Sequence, residues 1–268
     1  MMARALLACM AVGIFAPMIG TFLVQKRLSL VGDGVGHVAF AGIGAGLLFG
    51  LAPVWTALTF AVVGAVGVEL LRAKKKASGD LALALFFYTG IALGAVFASR
   101  IHDGKIDLEL THYLFGDPYT VGWGGVLAVL ALCALITAGV LVFRRVLFAI
   151  VTDEDWARVS GLPVGPTNIL LAAVTAGVVV AGMRVVGILL IAALMVLPVA
   201  SAQLVARSFR GTLWTAAAIG AVAAAAGLAA GRAFGISPSG AIVLVAAFIF
   251  AVVATAKRAA PRSLAGGQ

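Results

Sequence analysis

Long apolar stretches alternate along this chain with short polar or charged breaks. Nine apolar runs stand out, at roughly 5–24, 30–51, 54–71, 81–99, 121–143, 164–182, 185–206, 212–230 and 241–256. A helix needs about 20 such residues to cross a hydrocarbon core of about 30 Å. The period-two alternation of a transmembrane barrel strand is missing. The pattern therefore predicts an all-α, polytopic transmembrane bundle of eight or nine spans. Nine segments is the direct count; eight spans plus one short interfacial helix is the alternative. Segments 6 and 7 are parted only by Met183-Arg184, which makes theirs the weakest boundary.

Composition agrees. Hydrophobic residues make up 63% of the 268 positions and charged residues 11%, and the mean hydropathy is +1.17. Soluble domains carry about 25% charged residues, so a water-soluble globular fold is excluded. The net charge of +9 could serve nucleic acid, but the positives fall in short clusters between apolar runs: Lys26-Arg27, Arg72 with Lys74-Lys75-Lys76, Arg144-Arg145, Arg207 with Arg210, and Lys257-Arg258. Such clusters are topology signals. Placing all of them in the cytoplasm requires the N-terminus outside and the C-terminus inside. Residues 1–258 then form a single transmembrane domain, and 259–268 a short disordered cytoplasmic tail. Only Arg4 precedes the first run, which reads as a retained span rather than a cleaved signal. Cys9 and Cys133 lie in apolar stretches and form neither a metal motif nor a disulfide framework.

Segment 2 carries the candidate chemistry. Within Gly32-Asp33-Gly-Val-Gly-His37 the aspartate and histidine are four apart, and on a helix such residues share one face. If the helix starts near Gln25–Arg27, Asp33 lies about 9–12 Å and His37 about 15–18 Å into it. Ionisable residues inside a span mark functional sites by default. A carboxylate and an imidazole suit Zn²⁺ or Mn²⁺. Two ligands are too few for a closed site, but a symmetric dimer would supply four. A purely structural Asp–His tie between helices stays open, as does a proton relay. Gly32, Gly34, Gly36, Gly42, Gly44 and Gly46 surround the pair and predict either close helix packing or local unwinding.

Two connections exceed a turn. The outer one, Arg100 to Thr120, holds His102, Asp103, Asp107, Glu109 and His112; these could gather cations at the pathway mouth or simply form a solvated loop. The inner one, Arg144 to Pro163, predicts a short helix capped by Thr152. Asp153, Glu154 and Asp155 fall in its first turn, Trp156 and Ala157 follow, and Gly161 and Pro163 end it. Docking to another protein and lying at the lipid interface are equally open for this helix. Pro198 should kink segment 7. No GxxxxGK[ST] loop is present, so any ATP-driven transport needs a separate ATPase subunit.

The order of these features carries a resemblance. Arg27-Leu-Ser-Leu, then Gly32-Asp33, His37 and Gly42, resembles the entry to the second helix of the metal-ion ABC transporter permeases, the ABC-3 family. Gly79-Asp80, Gly90-Ile-Ala-Leu-Gly94, Tyr113-Leu-Phe-Gly-Asp117, Asp153-Glu-Asp-Trp-Ala157 with Gly161-Leu162, and Val186-Gly-Ile-Leu-Leu190 followed by Leu197-Pro198 match in the same order. The resemblance implies a type II importer permease in a bacterial inner membrane, itself no enzyme and holding no permanent cofactor. It implies a homodimer on two cytoplasmic ATPase subunits, served by an extracytoplasmic metal-binding protein. Asp33 and His37 of both chains would form the intramembrane metal station, and Asp153–Gly161 would dock on the ATPase. The cargo expected is a divalent transition metal, zinc ahead of manganese. A permease for cobalamin or an iron chelate, and a stand-alone secondary transporter, are the alternatives.

Overall fold

The computed structural model describes residues 2–73, 79–101 and 104–259; the side chains of 79–80, 104–108 and 259 lie outside that description. Among these described residues eleven helices follow one another: α1 (Met2–Gln25), α2 (Val31–Leu48), α3 (Pro53–Ala73), α4 (Gly79–Ser99), α5 (Gly104–Phe115), α6 (Trp123–Thr152), α7 (Glu154–Val159), α8 (Val164–Met183), α9 (Ile188–Val205), α10 (Phe209–Phe234) and α11 (Pro238–Ala259). No strand occurs among the described residues. All but α5 and α7 are long and apolar enough to span a membrane, nine in total.

These nine coincide with the nine apolar segments. The doubtful boundary at Met183-Arg184 is a true reversal, because Gly187 adopts φ +92° ahead of α9, a conformation closed to most L-residues. Helix α6 runs to Thr152 rather than to 143 and takes Arg144 and Arg145 into its last third, since the apolar run Val146-Leu-Phe-Ala-Ile-Val resumes behind them. The tail from residue 260 lies outside the described residues.

The start of the second helix differs from the expectation. Helix α1 continues to Gln25 and ends in a Schellman turn: Leu28 N–H bonds Leu23 C=O at 2.8 Å and Arg27 N–H bonds Val24 C=O at 3.0 Å. Arg27 takes the left-handed position, φ +59°, where glycine is usual. Helix α2 therefore opens at Val31. Asp33 lies about 3 Å and His37 about 9 Å along its axis, shallower than the sequence count gave.

Small residues bring the helices together without long side chains between them, as expected in lipid. Helix α1 lies against α10, where Gly13 and Gly220 face each other's backbone. Helix α2 is wedged between α3 and α4. A Cβ on Gly42 would stand 2.7 Å from Thr56 O. Helix α2 is continuous through its glycines, so they serve close approach rather than unwinding. Helices α1 and α2 are the most enclosed spans; α4, α6 and α11 are the least.

Candidate functional site

On α2 the expected pair is brought together. His37 Nε2 stands 3.7 Å from Asp33 Oδ1, with side chains 15% and 36% exposed respectively. That gap exceeds a hydrogen bond, so both groups keep lone pairs available. An ion about 2.0–2.2 Å from each atom would subtend an angle of about 120°, compatible with two adjacent positions of a four- or five-coordinate centre. Asp33 occupies the first turn of α2, where the positive helix end favours a carboxylate.

Helix α4 builds the wall beside them. The Phe87 ring meets the His37 ring edge-on, with centroids 4.5 Å apart. That contact is permitted by Gly90: a Cβ there would stand 2.8 Å from His37 C and Val38 N and 2.9 Å from His37 O. On the other sides, Gly36 meets Ile188 of α9 and Gly34 meets Leu83 of α4. The imidazole is thus fixed by packing, while the Asp33 side chain is the more exposed of the two. Among the described residues no third His, Cys, Asp or Glu joins the pair.

The inner connection is the short helix α7. Its cap is Asp153, not Thr152: α6 is still helical at Thr152, and Asp153 is the first residue with an extended backbone. Its side chain accepts the Trp156 N–H at 2.9 Å. Gly161, at φ +78°, ends the segment. Ala157 is buried against Ile150 and Val164, whereas Trp156 is 60% exposed and Val159 88% exposed. The exposed Trp156 and Asp155 lie on the outer surface of α7.

Glu154 points the other way, into the bundle. It pairs with Lys26 Nζ at 3.0 Å, and the Lys26 side chain is only 5% exposed. Lys26 Nζ also donates to Asn168 Oδ1 at 2.6 Å, and Asn168 Nδ2 donates to Glu154 Oε1 at 3.3 Å. Arg158 approaches Glu154 at 3.3 Å, and Arg72, bonded to Glu69 at 2.7 Å, stands nearby. Burial pushes the Glu154 carboxyl up, but the Lys26 hydrogen bond and charge, with Arg72 and Asn168, outweigh it and hold the group below the usual glutamate value. This network ties α7 to the end of α1, to α3 and to α8.

The outer connection contains a helix, α5, rather than a loop throughout. Its signal was the apolar series Ile106, Leu110, Tyr113, Leu114, at helical spacing but hidden among charges. Tyr113 is buried, and the Arg184 guanidinium lies 5.8 Å from its ring centre. Gly116 and Gly187 press backbone to backbone, locking the end of α5 onto the α8–α9 turn. Glu109 and His112 are exposed. His102, Asp103 and the Asp107 side chain lie outside the described residues. Pro198 sits inside α9, one turn after Met195, whose carbonyl meets Gly20 of α1.

The ABC 3 transport family matches residues 1–257. The chain belongs to the ABC-3 family. Its relatives include the manganese transport system membrane protein MntC of Listeria innocua, 28% identical over 92% of this chain and 87% of that protein. The manganese import system permease protein ScaB of Streptococcus gordonii is 27% identical over 93% and 88%. Among solved structures, PsaBC from Streptococcus pneumoniae in complex with Fab superposes with a TM-score of 0.83 at 28% identity, over 94% of this chain and 90% of that one. A metal-chelate type ABC transporter in an inward-facing conformation shares the fold at a TM-score of 0.69 and 19% identity, over 95% and 85%. This ABC-3 chain is thus a membrane-spanning permease of an ABC transporter, and a transport subunit rather than a catalytic one.

For an ABC-3 permease, sequence reasoning missed three groups at the site. Phe87 carried no signal beyond being an aromatic in a span. Lys26 was counted only as a topology charge. Asn168, the lone amide of an apolar segment, was the one clue that a polar network waited there.

Proposed function

We propose that this chain is the membrane subunit of an ATP-driven importer of divalent transition metal ions, and that Asp33 and His37 are its half of an intramembrane metal station. The observation that carries the reading is the pair itself: two potential ligands on one face of an otherwise apolar span, 3.7 Å apart and not hydrogen-bonded. A carboxylate 36% exposed on a span is costly against lipid. A second copy of the chain covering it removes that cost and brings the ligand count to four. The neighbouring face of α4, with Leu81, Leu85 and Tyr88 exposed, supports such a dimer as the apolar surface a partner would bury.

In this reading the pathway runs along α2 and α4. The basic clusters favour a cytoplasmic α7 face, with the N-terminus outside and the C-terminus inside. The exposed side of α7, Trp156 and Asp155 foremost, docks on an ATPase subunit. ATP-driven motion reaches α2 through Glu154 and Lys26, since Lys26 lies in the Schellman turn directly before that helix. An extracytoplasmic binding protein delivers the ion to the opposite side. Oxygen and nitrogen ligands without thiolate suit manganese as well as zinc. The manganese names of the relatives move our preference to manganese over the zinc lean drawn from the residues alone.

The test is uptake of ⁵⁴Mn²⁺ and ⁶⁵Zn²⁺ by cells lacking their own importers and expressing the full transporter. Asp33→Ala and His37→Ala should each abolish uptake while the complex assembles and hydrolyses ATP. Undiminished uptake in both variants refutes the metal station. Accumulation of cobalamin or an iron chelate, with no free-ion uptake, refutes the cargo class.

A further inference from the structure

We propose that the α7 face of this permease carries a specific site for an anionic phospholipid, held between α1, α6 and α10. It is separate from the metal pair and rests on the proposed function only for the cytoplasmic placement of this face. A cavity of about 480 Å³ opens there, within the range of ligand-binding pockets.

Three features fix the chemistry of its occupant. Arg144 and Arg145 of α6 and Arg210 of α10 stand on the cavity rim. All three are exposed, and among the described residues none pairs with a carboxylate. The N-terminus of α10 opens onto the same place. Ser208 caps it by accepting Gly211 N–H at 3.1 Å, while the N–H groups of Phe209 and Arg210, in the first turn, have no helical carbonyl to bond. Three guanidinium groups around a helix N-terminus form a phosphate-binding arrangement. The walls behind them are apolar. The rings of Phe22 and Phe209 are 5.3 Å apart, and those of Phe209 and Phe148 are 5.2 Å apart. This aromatic ladder is a preformed floor on which an acyl chain can lie.

Trp214, 44% exposed, stands at the cavity edge, the position tryptophan favours between headgroups and hydrocarbon. Helix α6 beyond it presents Leu135, Leu141 and Val142 outward, so the slot continues onto a lipid-facing surface. A free phosphate would use the arginines and leave the aromatic slot empty. A neutral lipid would use the slot and leave three cations without a counter-charge. An anionic glycerophospholipid uses both. Basic pockets between transmembrane helices on the cytoplasmic side recognise such headgroups.

The test is native mass spectrometry of the full-length chain in detergent, supplied with equal dioleoyl-phosphatidylglycerol and dioleoyl-phosphatidylcholine. Phosphatidylglycerol should be retained at least tenfold over phosphatidylcholine. The exposed triple variant R144Q/R145Q/R210Q should lose that preference. K257Q/R258Q, which removes two charges at the end of α11, should keep it. Equal retention of the two lipids by the unmodified chain overturns the proposal, and so does an unchanged preference in the triple variant. Equal loss in K257Q/R258Q overturns it by making the effect one of overall charge. Displacement of the lipid by millimolar glycerol 3-phosphate would point to a site for a soluble phosphate. Displacement by added ATPase subunits would make this face a protein contact.

Discussion

Lys26 and Glu154 provide the sharpest quantitative expectation, because the two partners are unequally buried. In Glu154→Gln, Lys26 stays 95% enclosed with its charge, since its side chain is 5% exposed. It keeps the Asn168 Oδ1 contact at 2.6 Å but loses its anion. Removing one partner of a buried pair costs about 3–5 kcal/mol; the remaining acceptor puts this case near 3. In Lys26→Met the carboxylate is better provided for. It is 31% exposed, and Arg158 stays at 3.3 Å, as does Asn168 Nδ2. The expected loss is about 1.5–2 kcal/mol, the low end of the range for one charge-assisted hydrogen bond. The double variant removes both charges together, so it should cost less than the sum of the singles, by about 1–2 kcal/mol. Denaturant unfolding of the purified chain in detergent, read as a double-mutant cycle, measures this. A coupling energy within about 0.5 kcal/mol of zero would refute the bridge. So would Lys26→Met costing more than Glu154→Gln. If the bridge also transmits motion, Lys26→Met should retain most ATP hydrolysis in the assembled transporter and lose several-fold in metal uptake.

Three further outcomes follow from the same geometry. Gly90→Ala places a Cβ 2.8 Å from the His37 backbone, which cannot rotate aside; unfolding measurements should show a loss of about 1–3 kcal/mol, with metal uptake reduced at unchanged expression. Asp153→Ala removes the cap of α7 and should destabilise the chain by about 1 kcal/mol, while Asp153→Asn retains most of that stability. The lowered Glu154 value gives a signed pH dependence: its contribution is fully present above the ordinary glutamate range and is lost as pH falls through the depressed folded value, so the stability difference between the unmodified chain and Glu154→Gln should hold from pH 7 to 5 and shrink below about pH 4.5.

The nine spans were legible because lipid imposes one rule on every spanning residue, and uninterrupted apolar runs leave little choice. Asp33 and His37 were legible for the same reason, as the exceptions to that rule within segment 2. The start of α2 was not. A left-handed Arg27 ends α1 where sequence rules look for glycine, so the break was invisible and the start of α2 was put too early in the chain. Thr152 lost the cap to Asp153 because α6 ran on through its two arginines. Helix α5 was masked by the charges interleaved with its apolar face. The Lys26–Asn168 contact joins residues 142 apart, and only the folded bundle puts this lysine beside an amide that had no evident purpose.

The central claim is that the Asp33–His37 pairs of two chains bind metal as the two halves of one site. Equilibrium titration of the purified permease with Mn²⁺, followed by the loss of the free-ion electron paramagnetic resonance signal, tests it without uptake or ATP. One Mn²⁺ per two chains is expected, with that binding gone in Asp33→Asn and in His37→Gln. One ion per chain, or unchanged binding in either variant, would contradict it.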